Sequence, residues 1–140
     1  MATTENATAV KRNPVMGAVA AIAGWIVPGL GHLLLRKWVK AVAYFLCVGA
    51  LAVVGILLRG NVFPYGAGDP FGILGFVADV GSGVFYFAAH TINPAGADVS
   101  RAAGDYGTRL IATAGVVNML CMLEAFEIGF RRGDETRGAP

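Results

Sequence analysis

The sequence predicts an all-α, polytopic membrane protein of four transmembrane helices, the first of them kinked at a proline. Three observations carry that expectation. Hydrophobic residues fill 56% of the 140 positions and charged residues only 14%, with a mean hydropathy of +0.62, whereas soluble domains are roughly 25% charged. Four apolar stretches, residues 14–35, 38–58, 71–92 and 108–130, each exceed the roughly 18 residues that cross a hydrocarbon core of about 30 Å as a helix. The connections are short and punctuated by Pro64, Pro70, Pro94 and neighbouring glycines. Lipid offers no partner for backbone N–H and C=O groups, so an isolated span has to be helical. The chain reads as a polar tail over 1–13, a four-helix membrane domain over 14–130 and a polar tail over 131–140, with no internal repeat.

Composition also narrows the function. A net charge of +2, spread over lysines and arginines at the span ends, is no nucleic-acid footprint; the bilayer is the expected partner. Cys47 and Cys121 fall in mid-span, where a thiol packs as a small apolar group, and no disulfide is expected. The apolar run after Lys11-Arg12 is longer than a signal-peptide core of about 7 to 15 residues, which favours an uncleaved first span. Neither a Gly-x-Ser-x-Gly, a His-Glu-x-x-His, a phosphate loop nor a Cys-x-x-Cys occurs, so no enzyme, metal or cofactor is implied.

The first span contains "WIVPGLGHLLLRK". Pro28 has no N–H for the carbonyl of Gly24 and crowds it, which predicts a kink over Gly24, Pro28, Gly29 and Gly31. Gly17, Ala21, Gly24, Pro28 and Gly31 share a helix face and form a small-residue groove. His32 lies on its flank. Arg36, Lys37, Trp38 and Lys40 then anchor the turn into the second span at the headgroup level. On this topology the termini's side carries six basic residues and the other side five; Arg109, within the fourth span's first turn, tips the reading towards cytoplasmic termini.

In the third span Asp79 lies near the midplane, where a carboxylate costs about 2.5 to 3.5 kcal/mol on insertion scales. Gly72, Asp79, Gly83 and His90 share one face, beside Gly75 and Tyr86. Asp79 reads as a hydrogen-bonded interhelical clamp or as a proton or ion site, and Gly81-Ser82-Gly83 loosens the helix as broken transporter helices do. In the fourth span Ile111, Ala114, Gly115, Asn118, Met122, Ala125 and Gly129 form a small-residue face, with Asn118 bonding across a helix interface. Glu124 and Glu127 lie off that face and read as an interfacial acidic cap, Glu127 pairing with Arg131.

The stretch "WIVPGLGHLLLRKWVKAVAYF" resembles the Pro-Gly-x-Gly-His hairpin of small bacterial integral-membrane proteins. "DYGTRLIATAGVVNMLCMLEAFEIGFRRG" looks like the closing segment of one such family, which carries a domain of unknown function. That hairpin usually continues His-x-Tyr-x-Gly-Arg, where this chain has "HLLLRK", and Leu123-Glu124-Ala125 stands for a common Leu-Asp-Ala. The resemblance implies four spans and a bacterial inner membrane, and no activity.

The expected function is that of a structural or accessory subunit, its glycine-rich faces assembling with itself or with a larger membrane complex. The alternatives are an oligomeric transporter or channel subunit using Asp79, and a haem or metal carrier using His32 and His90, both expected near the same membrane face.

Overall fold

The computed structural model describes residues 13–65, 70–92 and 102–131. Within them the chain is all-helical: α1 Pro14–Ile26, α2 Leu30–Leu34, α3 Trp38–Leu57, α4 Pro70–Gly81, α5 Val84–Ile92 and α6 Ala102–Arg131. Asn13 starts α1, its side chain accepting the Met16 N–H at 3.1 Å ahead of Pro14 at the first helical position, where the missing proline N–H costs nothing.

The first apolar stretch is a hairpin rather than one kinked helix. The chain breaks at Val27-Pro28-Gly29 and α2 returns along α1: Gly31 lies against the Ala20 backbone, and Leu35 packs with Ala20, Met16, Ala125 and Ile128. A proline alone bends a helix; here Gly29 follows it at φ +83°, a left-handed conformation that turns the chain back on itself. A Cβ on Gly29 would stand 2.3 Å from the Ala41 carbonyl oxygen, so the reversal also needs glycine's small volume.

The third stretch divides in the same way. Helices α4 and α5 are bent by 111° about Ser82-Gly83, with Gly83 at φ +63°. Ala78 and Gly81 face Gly115 and Met119 on α6, after which Phe85 comes back to Ala114 and Ala89 to Ile111. Among the described residues only α3 and α6 are single helices long and apolar enough to cross a membrane, or three elements if α4 and α5 count as one span. Two to three candidate spans are thus found where four were expected, the first and third apolar stretches each being broken into a helix pair. The same order, helix, glycine break, returning helix and long helix, occurs twice.

Helix α6 is the axis against which α1, α3 and α4 pack. It runs antiparallel to α1, with Gly129 against Gly17 and the Asn13 N–H donating to the Phe130 carbonyl at 2.9 Å. It is antiparallel to α3 as well, with Gly55 against Gly107 and Ile111. Three clusters step along it: Ala20, Leu35 and Ala125; Val48, Ala52 and Ala114; Val62, Ala89 and Ile111. Small residues dominate because close backbone approach, rather than hydrophobic transfer, drives helix packing in lipid. A Cβ on Gly115 would lie 1.7 Å from the Ala78 carbonyl oxygen. Large apolar side chains such as Val39, Phe45, Leu46, Phe71 and Leu120 point outward.

Candidate functional site

The two hairpins enter from opposite ends of α6 and touch at their tips. The Trp25 indole N–H donates to the Val80 carbonyl at 3.0 Å. Asn118, fully buried at the middle of α6, donates from Nδ2 to the Gly81 carbonyl at 2.9 Å and to the Trp25 carbonyl at 3.4 Å. Gly83 backs onto the same place, since a Cβ there would be 1.9 Å from the Trp25 carbonyl oxygen and 2.8 Å from that of Ile26. Helices α1 and α4 both end here. Their last carbonyls lack intrahelical partners and carry the negative end of the helix dipole, and one amide serves a carbonyl from each. Asn118 Oδ1 has no hydrogen-bond partner among the described residues.

Asp79 is fully buried one turn before the α4 break. Its Oδ2 accepts the Phe63 N–H at 2.6 Å, and its backbone carbonyl accepts the Ser82 hydroxyl at 2.6 Å. The carboxylate thus ties the segment after α3 to α4 rather than clamping two helices. Its Oδ1 has no partner among the described residues.

The second polar centre lies towards the termini's end of α6. Glu124 accepts from the Lys40 ammonium through Oε1 and from the Tyr44 hydroxyl through Oε2. His32 Nε2 stands 3.3 Å from Oε2, with the histidine 1% exposed and its ring edge-on to Tyr44 at 4.8 Å. The hairpin delivers that histidine: Gly31 lets α2 lie against Ala20 and Ala125, which turns the next residue towards α3 and α6. An ammonium and a phenol donate to this one carboxylate, while His32 Nε2, close by, makes no hydrogen bond among the described residues.

Glu124 therefore does not join Glu127 in an acidic cap. Glu127 pairs with Arg131 at 2.7 Å as the spacing suggests, while Glu124 turns inward. Sequence reasoning read Lys40 as a headgroup anchor rather than as a partner of Glu124, and missed Tyr44. Both lie on α3 one turn apart, and a cation and a phenol on one face of an apolar helix were the available signal.

His32 and His90 do not meet. His32 is level with Glu124, whereas α5 places Ala89 level with Ile111; thirteen residues of α6 separate those levels, about 20 Å at the helical rise. His90 is exposed and stacks on Tyr86 at 6.2 Å. The reversal at Gly29 sends His32 back to the side it entered from, so the two imidazoles of one chain do not approach a common point. Among the described residues no three His, Cys, Asp or Glu side chains gather into a metal-holding group.

The kink residues separate by role. Pro28 is buried; Gly29 and Gly31 have a Cβ position filled by backbone carbonyls, whereas a Cβ on Gly24 would meet nothing closer than 3.6 Å. Cys47 is exposed and Cys121 buried, both as free thiols.

The segments carrying the family resemblance, the Pro-Gly-Leu-Gly-His turn and Leu123-Glu124-Ala125, thus come together at the His32–Glu124 contact. No curated protein and no solved structure matches the chain. The model of DUF6677, a family of unknown function, matches residues 19–135, and the chain belongs to that family.

Proposed function

We propose that the protein is a subunit of a small oligomeric transporter or channel of a bacterial inner membrane. One observation supports this above the others: two broken hairpins, entering from opposite ends of α6, bring the C-terminal ends of α1 and α4 together on Asn118. Discontinuous helices that meet at the midplane of an inverted arrangement are how transporters build ion and substrate sites. Gly29 and Gly83 supply the hinges and Asp79 a buried carboxylate beside one of them. The glycine faces that suggested assembly with a partner are consumed by internal contacts such as Gly55 on Gly107 and Gly17 on Phe126, which weakens the purely structural reading.

The test is flux into liposomes holding the purified protein and a pH-sensitive dye, under proton, Na⁺ or K⁺ gradients. Flux above protein-free vesicles, reduced by Asp79→Asn and by Asn118→Leu, is expected. Vesicles as tight as empty ones towards all three ions would refute the reading. That result would favour the second one, an accessory subunit, which the closed packing at the tips supports: Gly83 and Gly115 leave no room for a methyl group.

The hairpin also bears on orientation. Leu35 packs beside Met16 and Ile128, so Arg36, Lys37, Lys40 and Arg131 belong with the termini's end of the fold, while Arg59 and Arg109 belong with the other. This replaces the near tie of a four-span topology with a bias, and the positive-inside rule then favours cytoplasmic termini. A C-terminal green fluorescent protein fusion should fluoresce and an alkaline phosphatase fusion should be inactive; the reverse pattern would invert the orientation.

A further inference from the structure

Between α2 and the first half of α3 runs an apolar groove of about 220 Å³, lined by Pro28, Leu30, Leu33, Ala41, Val42 and Phe45. Its course follows from chain order. Leu30 and Phe45 lie at the end away from the α2–α3 turn, Leu33 and Ala41 nearer that turn, and the turn itself, Arg36-Lys37-Trp38, beyond them. Arg36, Lys37 and Trp38 are all exposed, and neither Arg36 nor Lys37 forms an ion pair among the described residues.

The backbone at Arg36 is unusual for its residue type. The Arg36 N–H donates to the Leu33 carbonyl and the Lys37 N–H to the His32 carbonyl, each at 2.9 Å, closing α2 in the pattern that normally places glycine in the left-handed position. Here that position holds Arg36, at φ +58°, a conformation disfavoured for any residue with a Cβ. An arginine thus occupies the turn that joins the two walls of the groove, at a position where local geometry prefers glycine.

From the groove, the unpaired cations at its mouth and the interfacial indole, we infer that this face binds one anionic phospholipid. An acyl chain lies along Leu30, Leu33 and Val42, and the phosphate lies against Arg36 and Lys37. Arginine matches phosphate oxygens with paired donors, and a wholly apolar slot below suits a hydrocarbon chain rather than a polar ligand. The inference does not rest on transport activity.

The experiment is native mass spectrometry of the protein released from vesicles of phosphatidylglycerol and phosphatidylcholine in equal parts. Wild type should retain one phosphatidylglycerol in preference to phosphatidylcholine. Arg36→Gly and Lys37→Gln should each reduce that preference about five-fold. Arg36→Gly also relieves the left-handed strain, so loss of folding does not explain its effect. Arg59→Gly removes an arginine at φ +57° from the other end of α3 and should leave retention unchanged. Val42→Trp, which fills the groove, should reduce retention of both lipids. Equal retention of the two lipids by wild type, undiminished preference in Arg36→Gly with Lys37→Gln, or a lipid-free homodimer that takes the groove for a second copy would each overturn the inference.

Discussion

Replacing Gly83 with alanine should prise apart the junction on which this fold depends. Two costs add at that position. A left-handed backbone, here φ +63°, costs an L residue roughly 1 to 2 kcal/mol. The new methyl would also stand 1.9 Å from the Trp25 carbonyl oxygen, so one hairpin tip has to retreat by about an ångström, and overpacking of that kind costs about 1 to 3 kcal/mol. Together they amount to about 2 to 5 kcal/mol, which for a chain of this size corresponds to a fall of roughly 10 °C in the unfolding midpoint. Trp25 reports the event directly, because its indole N–H is bonded to Val80 across the same junction. The assay is the thermal midpoint of tryptophan fluorescence in detergent, read beside Gly49→Ala. At Gly49 a Cβ meets nothing nearer than 3.5 Å, so that variant should melt with the wild type. If Gly83→Ala melts within two or three degrees of Gly49→Ala, the tips are not in contact as described and the argument from two meeting hairpins fails.

Three further outcomes follow from the polar centres and the thiols. Asn118→Leu strands the Gly81 carbonyl, and more weakly that of Trp25; at about 1 to 3 kcal/mol for a buried unpaired group it should lower the same midpoint by roughly 5 to 10 °C, and an unchanged midpoint would remove Asn118 from the junction. Tyr44→Phe deletes a hydrogen bond to a carboxylate and should cost about 1.5 kcal/mol, whereas coupling of the half-exposed Lys40–Glu124 pair in a double-mutant cycle should stay at or below about 1 kcal/mol; the reverse order would show that the ion pair rather than the phenol holds Glu124. In detergent, N-ethylmaleimide should modify exposed Cys47 and reach buried Cys121 only on unfolding, as mass spectrometry of the two peptides would record; early modification of Cys121 would contradict its burial between helices.

Much of the chain's local character was legible before folding. The apolar content marks helices able to cross a membrane, because transfer free energy is a property of composition. Pro28-Gly29 and Gly81-Ser82-Gly83 mark the two places where a helix weakens, and Asn118 stands in a small-residue stripe that has to meet another helix. What those marks leave open is direction. A break can be a kink, which carries the chain onward, or a reversal, which returns it to the face it came from. The choice depends on the sign of φ at one glycine and on what the returning segment packs against: Ala20 and Ala125 for Gly31, Ala114 and Ile111 for α5. Those partners lie far along the chain, where no periodicity reaches. The same non-locality decided the sites. His32 and His90 stand at similar distances from the ends of their apolar stretches, yet the reversal at Gly29 carries them to opposite halves of α6. Glu124 resembles a surface cap on its own helix until α3 brings Lys40 and Tyr44 against it. Sequence determined the apolar segments, the breaks and the small faces; tertiary structure alone decided which way each break turns and which charges meet, because both depend on contacts between segments that the local sequence does not encode.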